Sequence, residues 1–193
     1  MELIWWVLYI SVLLIMLFVF GVSLMGIYLF CSSLGERWAP PVRASGKLKE
    51  AVLAELSKEL ENANTPQKVV DLGSGWGTLL LPLAKKFPNH RFVGIERALT
   101  PFYVSKFRAR QFSNLEFVRQ DFFTYDLSDT NIVMMFLIGF MMPKVTEKCL
   151  KELPEGATVL AIRFPLTGIE AETVVKLGSQ METYYLYKWG LVL

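Results

Sequence analysis

The chain has 193 residues, 53% of them apolar, and a formal net charge of only +2 at pH 7. This length allows one domain, or one domain with an appendage, and the near balance of charges does not indicate a nucleic-acid-binding protein. Two cysteines and one histidine are too few for a disulfide framework or a zinc site, so we expect no metal.

The N-terminal segment stands apart because residues 3–35 contain no charged side chain. About 20 apolar residues suffice for a helix to cross a bilayer, and residues 3–30 exceed that length. A secretory signal has a shorter apolar region and a basic start, whereas this chain begins Met1-Glu2. We therefore predict an uncleaved transmembrane anchor over residues 1–35, followed by one domain over residues 36–193.

The basic residues near this segment predict its orientation. Arg37, Arg43, Lys47 and Lys49 follow it, and no Lys or Arg precedes it. Such residues stay preferentially on the cytoplasmic side of a membrane. The predicted localisation is therefore a single-pass membrane protein whose domain lies on the cytoplasmic side, or on the matrix side of a mitochondrial membrane. The bilayer is its first expected partner.

The segment after the anchor predicts a linker and then a surface helix. Pro40-Pro41 prevents the helix from continuing, and Ser45 is a good N-cap for a new one. Apolar residues at helical spacing follow as far as residue 60, with charged residues between them. We expect this helix to lie on the domain surface with its apolar side inward.

From residue 68 onwards, short apolar runs alternate with helical patterns, which is typical of a parallel sheet covered by helices. The predicted strands are 68–72, 91–96, 115–120, 131–136, 158–164, 172–177 and 182–188. The predicted helices are 78–87, 100–112 and 143–153, with Thr100 as N-cap of the second of these and Pro101 at its first position. The last two strands predict an antiparallel hairpin through Gly178-Ser179. We interpret Lys106, Arg108 and Arg110 as a solvated helix face rather than a docking site.

The first strand leads into the glycine-rich stretch Asp71-Leu72-Gly73-Ser74-Gly75-Trp76-Gly77. Glycines permit φ > 0 and a close approach of a ligand to the main chain. A dinucleotide site requires G-x-G-x-x-G, but here the third glycine comes one residue early and Thr78 occupies its usual place. The D-x-G-x-G-x-G form resembles motif I of the class I methyltransferases, which implies S-adenosyl-L-methionine as cofactor.

Two acidic residues end the next two strands, at the sheet edge where open α/β sheets bind ligands. Glu96 can accept hydrogen bonds from both ribose hydroxyls, and Asp121-Phe122 can accept from the adenine amino group and stack on its ring. No side chain is assigned as catalytic. The predicted cofactor-binding residues are Asp71, Gly73, Ser74, Gly75, Gly77, Glu96, Asp121 and Phe122.

Later segments carry a more specific resemblance. They are the turn Met141-Met142-Pro143, the stretch 152–157 and the run Arg163-Phe164-Pro165-Leu166. With motif I, they resemble the small membrane-anchored lysine N-methyltransferases, whose mitochondrial members modify the ATP synthase c-subunit and the adenine nucleotide translocase. The resemblance covers residues 40–189 and implies a Rossmann-like, seven-strand class I methyltransferase sheet. It also implies a membrane-protein lysine as the substrate.

One departure from that family leaves alternatives open. The family usually has an aspartate followed by Gly-Arg where this chain has Trp76-Gly77-Thr78, and Gly-Trp-Gly is similar to the cyclopropane-fatty-acid-synthase-like methyltransferases. A lipid, methylated on a head-group amine or an acyl chain, is therefore one alternative substrate. A non-catalytic membrane-bound scaffold of the same fold is another alternative. The apolar loop 136–142 lacks the Asn/Asp-Pro-Pro-aromatic motif of base-methylating enzymes, which again disfavours nucleic acid.

Overall fold

A computed structural model describes residues 2–34, 46–178 and 180–190 of the chain. The chain forms two compact units, Met1–Trp38 and Ala39–Leu193. The predicted boundary between residues 35 and 36, the Pro40-Pro41 linker, the Ser45 N-cap and Ser179 of the predicted hairpin turn all lie outside the described residues.

The first unit is one helix, α1 (Glu2–Leu34), of 33 residues. Its segment Ile4–Leu29 is long and apolar enough to cross a membrane, and none of it is buried within the structure. The Ser11 and Ser23 hydroxyls donate to main-chain carbonyls one turn earlier, each at 2.8 Å, so these polar groups are satisfied within the helix. The helix extends beyond residue 30, where the predicted span ends.

The second unit is a seven-strand sheet in the order β3-β2-β1-β4-β5-β7-β6. Strands β1 to β5 pair in parallel, whereas β7 is antiparallel to both β5 and β6. The strands are β1 (Lys68–Leu72), β2 (Arg91–Ile95), β3 (Leu115–Val118), β4 (Ile132–Met135), β5 (Thr158–Ile162), β6 (Thr173–Lys176) and β7 (Thr183–Lys188). The predicted class I methyltransferase sheet, with its antiparallel final hairpin, is therefore confirmed.

Helices and short 3-10 turns complete this unit. The helices are α2 (Gly46–Glu61), α3 (Leu80–Lys86), α4 (Leu99–Ala109) and α5 (Met142–Glu152), and the 3-10 turns are Phe122–Thr124, Gly139–Met141 and Gln180–Glu182. The core-facing side of α2 consists of Leu48, Val52, Leu56 and Leu60, which are all buried and recur every four residues. This periodicity confirms the predicted surface helix with an inward apolar side.

The start of α4 differs from the prediction. Ala98, not Thr100, occupies the N-cap position, and Pro101 is the third helical residue rather than the first. The Ala98 N–H donates to the Glu96 carboxylate at 2.7 Å, so a strand-end acid fixes the N-cap residue, while no described side chain caps the first-turn N–H groups of the helix. Pro101 is still tolerated, because the first turn of a helix has no internal partner for its N–H groups.

The aromatic ring of Phe117 in β3 fills the space beneath two glycines. A Cβ added to Gly94 would lie 2.4 Å from Phe117 Cε1, and one added to Gly77 would lie 2.5 Å from Phe117 Cζ. Gly94 belongs to β2, and Gly77 ends the turn after β1. The small size of these residues therefore lets strand, turn and ring pack closely below the carboxyl edge of the sheet.

This packing predicts that Gly94→Ala will destabilise the protein by about 1–3 kcal/mol. The added Cβ would lie 2.8 Å from Ser74 Oγ as well as against the Phe117 ring, and neither group has room to move away. The measurement is thermal unfolding of the full chain in detergent micelles. Gly46→Ala is the matched control, since a Cβ there meets no atom of the described residues within 4 Å, and it should be neutral or slightly stabilising. Equal melting temperatures for the two variants would contradict the packing argument.

Candidate functional site

The turn after β1 is held in an open, left-handed conformation. Gly73, Gly75 and Gly77 have φ values of +77°, +52° and +70°, which residues with side chains rarely adopt. The N–H groups of Gly73 and Ser74 both donate to the Ile95 carbonyl, at 2.9 and 3.0 Å. A Cβ added to Gly75 would meet no atom of the described residues within 4 Å, so none of them covers this part of the turn.

Glu96 connects this turn to helix α4. One carboxylate oxygen accepts the Gly75 N–H at 2.8 Å, and the other accepts the Ala98 N–H at 2.7 Å. The residue is only 5% exposed, and such a buried carboxylate needs these donors. Because a carboxylate oxygen can accept more than one hydrogen bond, these contacts are compatible with the predicted ribose contacts, which remain a prediction.

Asp71 lies in β1 between Gly94 of β2 and Met134 of β4, and it is only 4% exposed. Burial raises the pKa of its carboxyl to about 8, and the negative charge of Glu96 contributes further to the increase. At neutral pH most of this carboxyl is therefore protonated, and it can act as a hydrogen-bond donor.

Asp121 and Phe122 lie after β3, which ends at Val118, and Asp121 is the N-cap of the 3-10 turn Phe122–Thr124. One Asp121 oxygen accepts the Phe123 N–H at 3.0 Å, and the other lies 3.6 Å from the Arg97 guanidinium. The ring of Phe122 is buried and packs against Phe123, with 4.5 Å between centroids. Stacking of Phe122 on an adenine would therefore need its ring to move, and that role also remains a prediction.

Two residues that the sequence does not mark as site residues, Arg108 and Arg163, belong to this region. Arg108 is not simply a solvated residue, because it donates a hydrogen bond to the Trp76 carbonyl at 2.9 Å and so connects α4 to the glycine turn. Its partner lies 32 positions earlier, and no local pattern reveals such a pairing.

Arg163, directly after β5, is another such residue. It has φ +76°, the single positive value outside glycine among the described residues, and its buried Nε has no partner within them. A strained residue at the ligand-binding edge of a sheet is a candidate for a substrate contact. Its position in the Arg163-Phe164-Pro165-Leu166 run is the one signal of it in the sequence.

The polar and charged groups at this edge of the sheet fit S-adenosylmethionine better than a dinucleotide. The Gly75 N–H, which a pyrophosphate would use, already donates to Glu96. The negative charges of Glu96 and Asp121 would repel a pyrophosphate but attract a cationic sulfonium, and the mostly protonated Asp71 adds no full charge. Ser74 Oγ is buried without a partner among the described residues, so a polar group is available beside the turn.

Comparison with known proteins agrees with this fit. A family model for the ANTKMT methyltransferase domain matches residues 71–173. A carboxy-S-adenosyl-L-methionine synthase from Nautilia profundicola is 39% identical over 123 residues, which are 63% of this chain and 53% of that protein. An ATP synthase c-subunit lysine N-methyltransferase from Caenorhabditis elegans is 30% identical over an alignment of 149 positions that covers 70% of this chain and 75% of that protein. The chain thus spans about half of the first relative and three quarters of the second.

A solved structure has the same fold. The RNA methyltransferase from Salinibacter ruber in complex with S-adenosyl-L-homocysteine superposes with a TM-score of 0.68, covering 79% of this chain and 96% of that one. The sequence identity is 22%, so this likeness concerns the fold alone.

The raised pKa of Asp71 predicts a pH dependence of stability. The unfolded carboxyl ionises near pH 4, whereas the folded one keeps its proton up to about pH 8. The folded state therefore binds more protons within this window, and its free energy of unfolding falls as pH rises from about 4 to 8. Asp71→Asn should make the dependence shallower, as measured by urea unfolding in detergent between these pH values.

The exposed Glu170, which forms no ion pair with the described residues, supplies the control for this measurement, and Glu170→Gln should change the slope far less than Asp71→Asn. Subtracting each variant from the wild type also cancels the contribution of His90, whose pKa is lowered by burial. A slope that is identical in the wild type and Asp71→Asn would show that Asp71 is ionised in the folded protein.

Proposed function

The chain belongs to the ANTKMT methyltransferase-domain family, and on that premise we propose that it is an S-adenosylmethionine-dependent lysine N-methyltransferase that acts at a membrane. The single observation that supports this activity best is the hydrogen bond from the Gly75 N–H to the Glu96 carboxylate. This bond fixes the glycine turn so that the main chain at Gly75, which no described residue covers, lies next to buried carboxyl groups.

We propose that the cofactor is held by the eight residues predicted from the sequence, with the glycine turn beneath it and Glu96 and Asp121 on successive strand ends. When bound, S-adenosylmethionine supplies an electrophilic methyl group on a sulfonium. The protein's own contribution is then to orient two reactants in line and to exclude water. Asp71, neutral at pH 7 and buried under the turn, adds no full negative charge there.

The proposed acceptor is a lysine of a membrane protein. The Caenorhabditis elegans relative is named for a lysine of the ATP synthase c-subunit. An amine attacks a methyl group only in its neutral form, and an apolar environment lowers its pKa. Phe140 supports such an environment, because it lies in the loop after β4 and its side chain is 79% exposed.

The helix α1 supports the membrane part of the proposal. Its 26-residue apolar segment is about 39 Å long at 1.5 Å per residue, which exceeds the bilayer core of about 30 Å. Tethering the domain raises its effective concentration at membrane targets without any new contact. We propose a single-pass topology with the domain on the cytoplasmic or matrix side.

Cofactor binding gives a direct test of the site. Glu96→Ala should weaken binding of S-adenosylmethionine about tenfold to hundredfold by calorimetry, because two main-chain donors and the ligand lose a buried charged acceptor. Glu96→Gln should also weaken it, since its NH₂ would face one of these donors. The exposed Glu116, paired with Arg91, provides the control Glu116→Gln, and NAD should not bind. Unchanged affinity in Glu96→Ala would refute the assignment.

Label transfer tests the substrate. The purified full chain is incubated with methyl-labelled S-adenosylmethionine and membranes, after which lipid and protein are separated. We expect label in protein, recovered as methylated lysine after hydrolysis. Phe140→Ala should reduce transfer while leaving cofactor affinity unchanged, because it removes apolar surface only on the proposed acceptor side. Label in the lipid extract would overturn the lysine proposal, and cofactor binding without any transfer would indicate a scaffold.

The similarity to the carboxy-S-adenosyl-L-methionine synthase favours a second candidate, in which the cofactor itself is modified. The 39% identity over 123 residues is the observation behind it. The nucleoside product separates the two candidates by mass. Methyl transfer leaves S-adenosylhomocysteine, whereas the second activity, which needs a carboxyl donor added to the assay, leaves a carboxylated and therefore heavier form of the cofactor.

A further inference from the structure

Helix α4 carries an exposed surface that the proposed catalytic function does not use. Tyr103 and Phe107 are 60% and 61% exposed, and at a spacing of four residues they lie on one face. Lys106 and Arg110 flank this pair on one side of the helix, and Arg108 lies on the other. We call these five residues the α4 patch.

The charged side chains of the α4 patch are all positive. Residues 97–115 contain four basic side chains and no acidic one. Within the described part of the chain, none of the patch cations forms an ion pair. The Arg110 guanidinium lies 4.0 Å from the centroid of the Phe107 ring, and Lys106 Nζ lies 5.5 Å from that of Phe102. Lys106 and Arg110 therefore lie beside aromatic rings, Arg108 donates to a main-chain carbonyl, and no described carboxylate forms an ion pair with any of the three.

We propose that the α4 patch docks on an anionic lipid surface. Aromatic rings between cationic side chains suit the boundary between lipid head groups and acyl chains, where the rings enter and the cations meet phosphate. A single helix presents a convex face without a groove, so a protein partner would need a complementary concave acidic surface. A deformable lipid surface needs no such shape. This inference rests on the membrane part of the proposed function, because a tether by α1 would make even weak docking effective.

Docking of the α4 patch would also determine how far the cofactor site lies from the membrane surface. Helix α4 is joined to that site at two points: the Ala98 N–H at its start donates to Glu96, and Arg108 donates to the Trp76 carbonyl of the glycine turn. The helix has 11 residues, so it is about 16 Å long. The turn would then lie within about that distance of the head groups, which favours acceptor lysines at the bilayer surface over those on distant soluble domains.

The test uses the full chain reconstituted into vesicles of phosphatidylcholine, with or without phosphatidylglycerol. A bimane fluorophore is attached through Gln111→Cys, an exposed position beside the patch, and head-group spin-labelled lipid serves as quencher. Cys31→Ser removes one competing thiol, and Cys149 is buried with a thiol pKa raised to about 12. We expect strong quenching in the anionic vesicles and little in the neutral ones.

Variants separate docking from tethering. Lys106→Gln/Arg110→Gln should lower the docking equilibrium constant about thirtyfold, because each cation contributes about fivefold at an anionic surface. Lys144→Gln/Lys151→Gln removes the same charge from exposed positions of α5 and should leave quenching unchanged. Flotation with neutral vesicles reports anchoring independently, and methyl transfer reports the enzyme activity.

The outcomes are distinct. Quenching that depends on anionic lipid and on Lys106 and Arg110 supports the proposal, whatever acceptor the enzyme proves to methylate. Absence of quenching in anionic vesicles that carry the protein would overturn it and would leave the α4 patch as a protein-binding face. Equal quenching in both variant pairs would also overturn it, since the attraction would then come from net charge alone.

Discussion

A buried carboxylate that accepts two main-chain hydrogen bonds is the interaction on which the ligand edge of this domain depends. Glu96 binds the Gly75 N–H on one side and the Ala98 N–H on the other. The first contact holds the glycine turn open, and the second begins α4. Removing the carboxylate would leave two partly buried donors without this acceptor, so turn and helix would both lose the contact that fixes their position. The sheet beneath supplies the framework, but this residue joins its parts.

The same carboxylate influences its neighbours through charge. Asp71 lies below the turn with almost no access to solvent, and it remains protonated near pH 7 because burial and the charge of Glu96 both disfavour its ionised form. The edge therefore concentrates acidic groups without having all of them ionised. A site with this charge suits a cationic ligand and disfavours a pyrophosphate. The spacing of the three glycines makes the same distinction, because it differs from that of a dinucleotide site.

Most of this fold could be predicted from the sequence because its signals are local. The apolar run Ile132-Val133-Met134-Met135 forms β4, and the leucine spacing of α2 correctly predicts its buried side. Local preference favours Thr100 as the N-cap of α4, but Ala98 takes that position, where the Glu96 carboxylate fixes it by accepting its N–H.

Long-range contacts account for what the sequence could not predict. Arg108 meets Trp76 across 32 positions, and Phe117 fills the space that Gly94 and Gly77 leave empty. Each of these contacts depends on the order of strands in the finished sheet, and no window of neighbouring residues contains that information. The same applies to Phe122, whose position after an acidic strand end suggests a stacking surface although its ring is buried in the domain.

The hydrogen bond from Arg108 to Trp76 has a thermodynamic consequence. Because this bond links the glycine turn to helix α4, a shift in the position of one element changes the strength of its contact with the other. Binding at two such connected places obeys reciprocity: if a contact on α4 changes the affinity of the turn for its ligand by some factor, that ligand changes the strength of the contact by the same factor. Binding at the glycine turn and binding at α4 would then each change the affinity of the other, through the Arg108 side chain.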